Sequence, residues 1–358
     1  MKKAFLILED GHVFAGKSIG SSTEVISELV FNTSMTGYLE VLTDPSYSGQ
    51  AVCMTYPLIG NYGVCYEDME SAKPWVDGYI VQELSRRASN FRNEADIQVF
   101  LKHFNISGIA GIDTRALTKI LREKGTMNGM ITTDENYDLN CILPKIKAYS
   151  TGKEVGKVTC LEKIILKGEG KRVALLDLGA KESIAKSLQQ RGCEVTIYPA
   201  STSAEEILAD KPEGIMLSNG PGDPEECTEI IKEIHKLYEA DIPIFAICLG
   251  HQLMALANGI KTYKMKYGHR GGNHPVKDLE TNRVYISSQN HGYVVDVEGL
   301  DTKIAVPAFV NVNDGTNEGL KYVGKNIFTV QFHPEASPGP QDSNYLFDKF
   351  IEMMGGTA

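Results

Sequence analysis

"RVALLDLGAKESIAKSLQQRGCEVTIYPA", residues 172–200, joins two apolar runs through a segment of helical spacing. The first run is unbroken from Val173 to Leu176 and ends in a Gly-containing turn. The middle repeats Ile184, Ala185 and Leu188 on one face, and the last run stops at a proline. Strand, helix, strand in this order predicts two parallel strands, because a helical crossover returns the chain to the same edge. The alternation continues. "SAEEILAD" opens a helix with Ser203 and Glu206 in capping-box spacing, "EGIMLSNG" is a strand, and "PEECTEIIKEIHKLYEA" is a helix. "IPIFAIC" is a strand and "HQLMALANG" a helix. The expected fold class is α/β: a mainly parallel sheet with helices on both faces. Residues up to about 334 are strand-rich, and "SNYLFDKFIEMMG" closes as a helix.

Upstream, the pattern is different. "AFLILEDGHVFAG" reads as a hairpin turned by Asp10-Gly11, and short apolar runs broken by glycine and proline follow. "NEADIQVFLKHFN" and "DTRALTKILREKG" have helical spacing, the second between a cap at Asp113 and a stop at Gly125. From 134 to 171 the pattern weakens into Lys/Gly-rich stretches. The expected division is a strand-rich domain over 1–133, a linker over 134–171 and the α/β domain over 172–358.

The 358 residues carry a formal net charge of −10, which disfavours nucleic acid or an anionic membrane as partner. Five apolar residues before Glu9 are too few for a signal-peptide core, so a cytoplasmic location is expected. The seven cysteines are scattered without a C-x-x-C pair, and no H-E-x-x-H occurs, so neither a disulfide framework nor a metal site is expected. "GHVFAGKS", residues 11–18, fits a phosphate-loop pattern but continues a hairpin, whereas that loop must open a helix. No nucleotide site is expected on this chain.

Ligands of an open parallel sheet collect at the carboxyl ends of its strands. Cys248 ends one strand and stands at the start of a helix. Such an elbow exposes a nucleophile and aims free N–H groups at it, although a buried structural cysteine is the alternative reading. In "IFTVQFHPEAS", Pro334 limits the strand, and period-two alternation lets His333 and Glu335 point the same way, as a base and its orienting carboxylate. A metal site is the rival reading of that pair. The other histidines, such as His251 and His291, can be packing residues. In "IMLSNGPGDPEE", the turn at Gly222 brings backbone close to a ligand, and its N–H pairs with that of Leu249 as a candidate oxyanion hole. Together these groups define an acyl-transfer site working through a thioester.

"GPG", "CLGHQ" and "HPE" stand in the order and spacing of the class I glutamine amidotransferase family, which residues 172–358 resemble. The resemblance implies hydrolysis of glutamine's side-chain amide, with Cys248, His333 and Glu335 as the triad. It also implies that Gly220, Gly222, Leu249, Gln252, Asn290, Gly292 and Tyr293 line the glutamine site. "FNTSMTGYLEVLTDPSYSGQ", "TYPLIGNYG", "GIDTRALTKILREKG", "GHRGGNHPVKD", "SSQNHGYVVD" and "DGTNEGLKY" resemble the small-subunit family of carbamoyl-phosphate synthetase along essentially the whole chain. That resemblance places Ser46 beside glutamine. It implies a large synthetase subunit as partner, which receives ammonia and holds ATP and Mg, with no cofactor on this chain and docking by the amino-terminal domain. Two departures stand out: Ala246 replaces the usual glycine before the nucleophile, and the Arg-Asn common after "GAK" is missing. The alternatives are a stand-alone cysteine hydrolase on the same fold and a non-catalytic regulatory subunit.

Overall fold

The computed structural model describes residues 2–356, which form two compact units, Met1–Thr151 and Gly152–Ala358. The division falls inside the stretch expected to be a linker. That stretch is structured on both sides of the break. Helix Leu139–Ala148, capped by Asp138, sets Ile146 against Phe5, Ile7 and Met130 of the first unit. Strand Ile164–Leu166 pairs antiparallel with Glu194–Pro199 of the second. Short elements in a Lys/Gly-rich stretch carry too little periodicity to announce themselves.

Among the described residues of the first unit, seven strands close a barrel. The expected hairpin is its start, Lys3–Leu8 against Val13–Gly20, so "GHVFAGKS" is strand and opens no helix. Parallel and antiparallel pairings mix around the barrel. Helix Thr114–Lys124 runs between the expected signals: Asp113 accepts from the Ala116 N–H at 2.9 Å, and Gly125 follows at φ +102°.

The second unit is a ten-stranded sheet. Five strands are parallel, in the spatial order Glu194–Pro199, Arg172–Asp177, Gly214–Leu217, Ile244–Ile247, Ile327–Val330. In chain order this is 2-1-3-4-5, the flavodoxin-like arrangement. Beyond Ile327–Val330 the sheet continues antiparallel through Asn317–Tyr322, Ala305–Asn311, Thr262–Asp278 and Val284–Val295. Parallel pairing is thus confined to the core of a mixed sheet. Alternation along the central strand explains the double cover. Ile244 and Ala246 pack with Ile234, Leu237 and Leu253, whereas Phe245 and Ile247 pack with Ile184, Phe347 and Phe350. Each fully buried Phe or Ile contributes about 1.5–3 kcal/mol. Among the described residues, no helix is long and apolar enough to cross a membrane.

Candidate active site

Cys248 follows strand Ile244–Ile247 directly, and helix Leu249–Ala257 begins at the next residue. Its backbone sits at φ +52°, ψ −105°, a conformation a residue with a Cβ adopts only when its surroundings enforce it. The enforcement is visible. The Cys248 N–H donates to the Val330 carbonyl at 2.8 Å, continuing the parallel ladder, while its carbonyl accepts from the Gln252 N–H at 3.1 Å, opening the helix. One residue finishes a strand and starts a helix, which is the elbow expected from sequence. The thiol is buried and donates to the Asn290 carbonyl at 3.6 Å.

His333 lies beyond the last strand residue, Val330, and not at the strand's end as expected. It is fixed by its N–H, which donates to the Ser288 carbonyl at 2.9 Å. The pairing with Glu335 is as anticipated: His333 Nδ1 to Glu335 Oε1 is 2.6 Å. Nε2 is buried without a conventional hydrogen-bond partner, while interaction with the Cys248 thiol adds to the ring's basicity. Burial pushes the His333 pKa down, but the Glu335 charge, the interaction with Cys248 and the hydrogen bond to Glu335 together outweigh it, and the group rises to about 10. Burial pushes Glu335 up, and Lys181 and His333 together bring it down to about 2.

Lys181 is the member that sequence reasoning missed. It is 2% exposed, and its Nζ donates to Glu335 Oε1 at 3.0 Å and also to the Ala336 carbonyl. A lysine in a strand–helix turn reads as a solvated charge. The available signal was its position, just past the carboxyl end of Arg172–Asp177, at the switch point where the parallel order reverses.

The turn after Gly214–Leu217 supplies the second wall. A Cβ on Gly220 would stand 2.2 Å from the Leu178 carbonyl oxygen and 2.8 Å from Leu249 Cδ2, so only glycine fits. Gly222 sits at φ +90°. Asn219 accepts from the Lys181 N–H at 3.1 Å, tying this turn to the lysine. Leu249 is the first residue of its helix and so among the four whose N–H groups lack an intrahelical partner. Gln252 donates to the Tyr293 carbonyl at 2.9 Å and to Gln331 at 3.0 Å, which joins the helix to strand Val284–Val295, where Asn290, Gly292 and Tyr293 lie. Ser46 belongs to the first unit, on the turn Pro45–Tyr47, where its N–H donates to Asp44 at 2.9 Å. His251 is a packing residue: buried against Thr329, its pKa is pushed down to about 3 by burial.

A thiol, an imidazole, a carboxylate and a glycine turn around one strand-to-helix elbow define a class. Residues 174–353 match the model of the glutamine amidotransferase class-I family. Residues 6–131 match the carbamoyl-phosphate synthase small chain, CPSase domain. The curated carbamoyl phosphate synthase small chain of Clostridium perfringens is 53% identical, over 98% of this chain and 99% of its own length. Those of Listeria monocytogenes and Oceanobacillus iheyensis are 50% and 49% identical, over 99% of this chain and 98% and 96% of theirs. The chain belongs to the carbamoyl phosphate synthase small chain family.

Proposed function

We propose that this chain hydrolyses the side-chain amide of glutamine through a thioester on Cys248 and passes the ammonia to a separate large subunit. His333 holds the proton and Cys248 attacks the amide carbon as thiolate. The carbonyl electron pair moves to oxygen, where the N–H groups of Gly222 and Leu249 stabilise it. Nε2 of His333 then protonates the leaving nitrogen, the C–N bond breaks and ammonia departs. Water attacks the thioester and gives a proton back to His333, releasing glutamate and the thiolate. Glu335, held by Lys181, keeps the imidazole oriented and favours its charged form. Gly220, Gln252, Asn290, Gly292 and Tyr293 shape the glutamine pocket. The large subunit supplies ATP and Mg, since this chain has no nucleotide motif of its own, and the barrel unit docks on it.

The observation that carries the reading is the Cys248 elbow beside His333 and Glu335. Cys248→Ser tests it. The hydroxyl's far higher pKa should end thioester formation. In the assembled synthetase, glutamine-dependent carbamoyl phosphate formation should disappear while synthesis from added ammonia persists. Loss of both activities would make Cys248 a structural residue.

A further inference from the structure

The antiparallel part of the sheet holds a second constellation: His269 on strand Thr262–Asp278, His291 on Val284–Val295 and Glu318 on Asn317–Tyr322, all buried. Their nearest donor atoms lie within 4.8 Å of one another, the one such grouping among the described residues. We propose that these three side chains bind a divalent transition-metal ion of the zinc class, which ties the three strands together. The proposal does not depend on the glutaminase reading.

The distances fit a tetrahedral ion. His269 Nδ1 is 3.2 Å from His291 Nε2 and 3.6 Å from Glu318 Oε1. Ligands about 2.0–2.1 Å from a tetrahedral centre are separated by about 3.3–3.4 Å. The outer nitrogens are engaged as ligating histidines require. His269 Nε2 is 2.8 Å from the Asp314 carboxylate, and His291 Nδ1 is 2.8 Å from the Tyr293 carbonyl. Those bonds place the ring protons outside and turn both inner lone pairs toward each other. Gln289 Oε1, 2.8 Å from His291 Nε2, adds a fourth acceptor and suits the fourth coordination position.

With the ring protons on the outer nitrogens, the inner contacts set acceptor against acceptor. A proton on His269 Nδ1 serves His291 Nε2 but leaves Gln289 Oε1 facing the same lone pair. Reversing the Gln289 amide turns its oxygen onto Glu318, which now accepts from Gln289 Nε2 at 2.9 Å. Glu318 meanwhile has one oxygen, Oε2, buried without a partner. A dication at the centre gives the two inner nitrogen lone pairs and Gln289 Oε1 a common partner.

The test uses the untagged full-length chain. Purified without chelator, it should carry one equivalent of zinc or another first-row dication by plasma mass spectrometry. After chelator stripping, added Co(II) should give the visible d–d absorption of a four-coordinate site. Glu318→Gln, which keeps shape and loses charge, should abolish that absorption, and Asp314→Asn should weaken Co(II) binding by about 10–100-fold. A folded wild-type chain with no stoichiometric metal and no Co(II) spectrum overturns the proposal. So does a spectrum that survives Glu318→Gln unchanged.

Discussion

Replacing Lys181 by methionine isolates the least expected part of the site. The change keeps all but the last atom's length of the side chain and removes the charge that lies 3.0 Å from Glu335. Both partners are buried, at 3% and 0% side-chain exposure, so the carboxylate cannot recover its solvation from water. Breaking a buried pair by removing one partner costs about 3–5 kcal/mol. His333 remains beside Glu335, which argues for the lower end. For a unit of this size about 3 kcal/mol lowers the melting temperature by roughly 6–12 °C, at about 2–4 °C per kcal/mol. The deficit has a defined pH dependence. Glu335 is held down at about 2, so its contribution to stability is present above the ordinary carboxylate range and fades as pH falls toward 2. Wild type and Lys181→Met should therefore differ most near neutrality, with the gap narrowing below the ordinary carboxylate range and closing as pH falls to about 2. Scanning calorimetry of both proteins from about pH 8 down to about pH 2 reads this directly. A pH-independent difference, or one under about 1 kcal/mol at neutrality, would refute the idea that Lys181 compensates a buried Glu335 charge.

Other outcomes follow from the same geometry. His333→Asn removes the proton carrier, whereas Glu335→Gln removes orientation and charge, so kcat/KM for glutamine should fall further in the first; equal losses would refute the division of roles. Gly220→Ala puts a Cβ against the Leu178 carbonyl and Leu249, which should displace the Gly222 turn and lower glutaminase kcat by about 10²-fold, with the fold intact by circular dichroism. Glutaminase turnover should rise when the large subunit, bicarbonate and ATP are added. A hundredfold rise needs about 2.7 kcal/mol of transition-state stabilisation, and equal rates with and without the large subunit would remove the gating role.

The parallel core was legible because each of its strands is a short apolar run closed by a turn and followed by helical spacing. The barrel was legible only as strand-rich. Its closure joins Val25–Asn32 to Met127–Thr132, about a hundred residues apart, and no local pattern encodes such a pairing. The antiparallel half of the sheet was likewise legible only as strand-rich, because its long strand Thr262–Asp278 holds Gly268, Gly271, Gly272 and Pro275, which read as turns. In the site, residues carried by a recognisable local motif were found, such as Cys248 and His333, and those without one were not. His333 and Glu335 are two apart. Lys181 reaches Glu335 across 154 positions, and His269, His291 and Glu318 come from three strands.

Cys248 shows why the elbow tolerates little change around it while accepting alanine at 246. The strained backbone at φ +52° requires the helix to start hard against the neighbouring strand. At Gly250 a Cβ would meet the Leu217 carbonyl oxygen at 2.6 Å and Leu217 Cβ at 2.7 Å, and the Gly250 N–H donates to Ser218 at 3.0 Å. Glycine is therefore fixed at 250 by contact. Position 246 differs because it lies inside the strand, two residues before the turn. Its methyl points into the helix-side core with Leu217, Leu249 and Leu253, and no part of it is exposed. Alanine there adds apolar packing beneath the elbow and leaves the thiol's surroundings to Leu249, Asn290 and His333. The departure from the usual glycine is a change of core filling beneath the elbow.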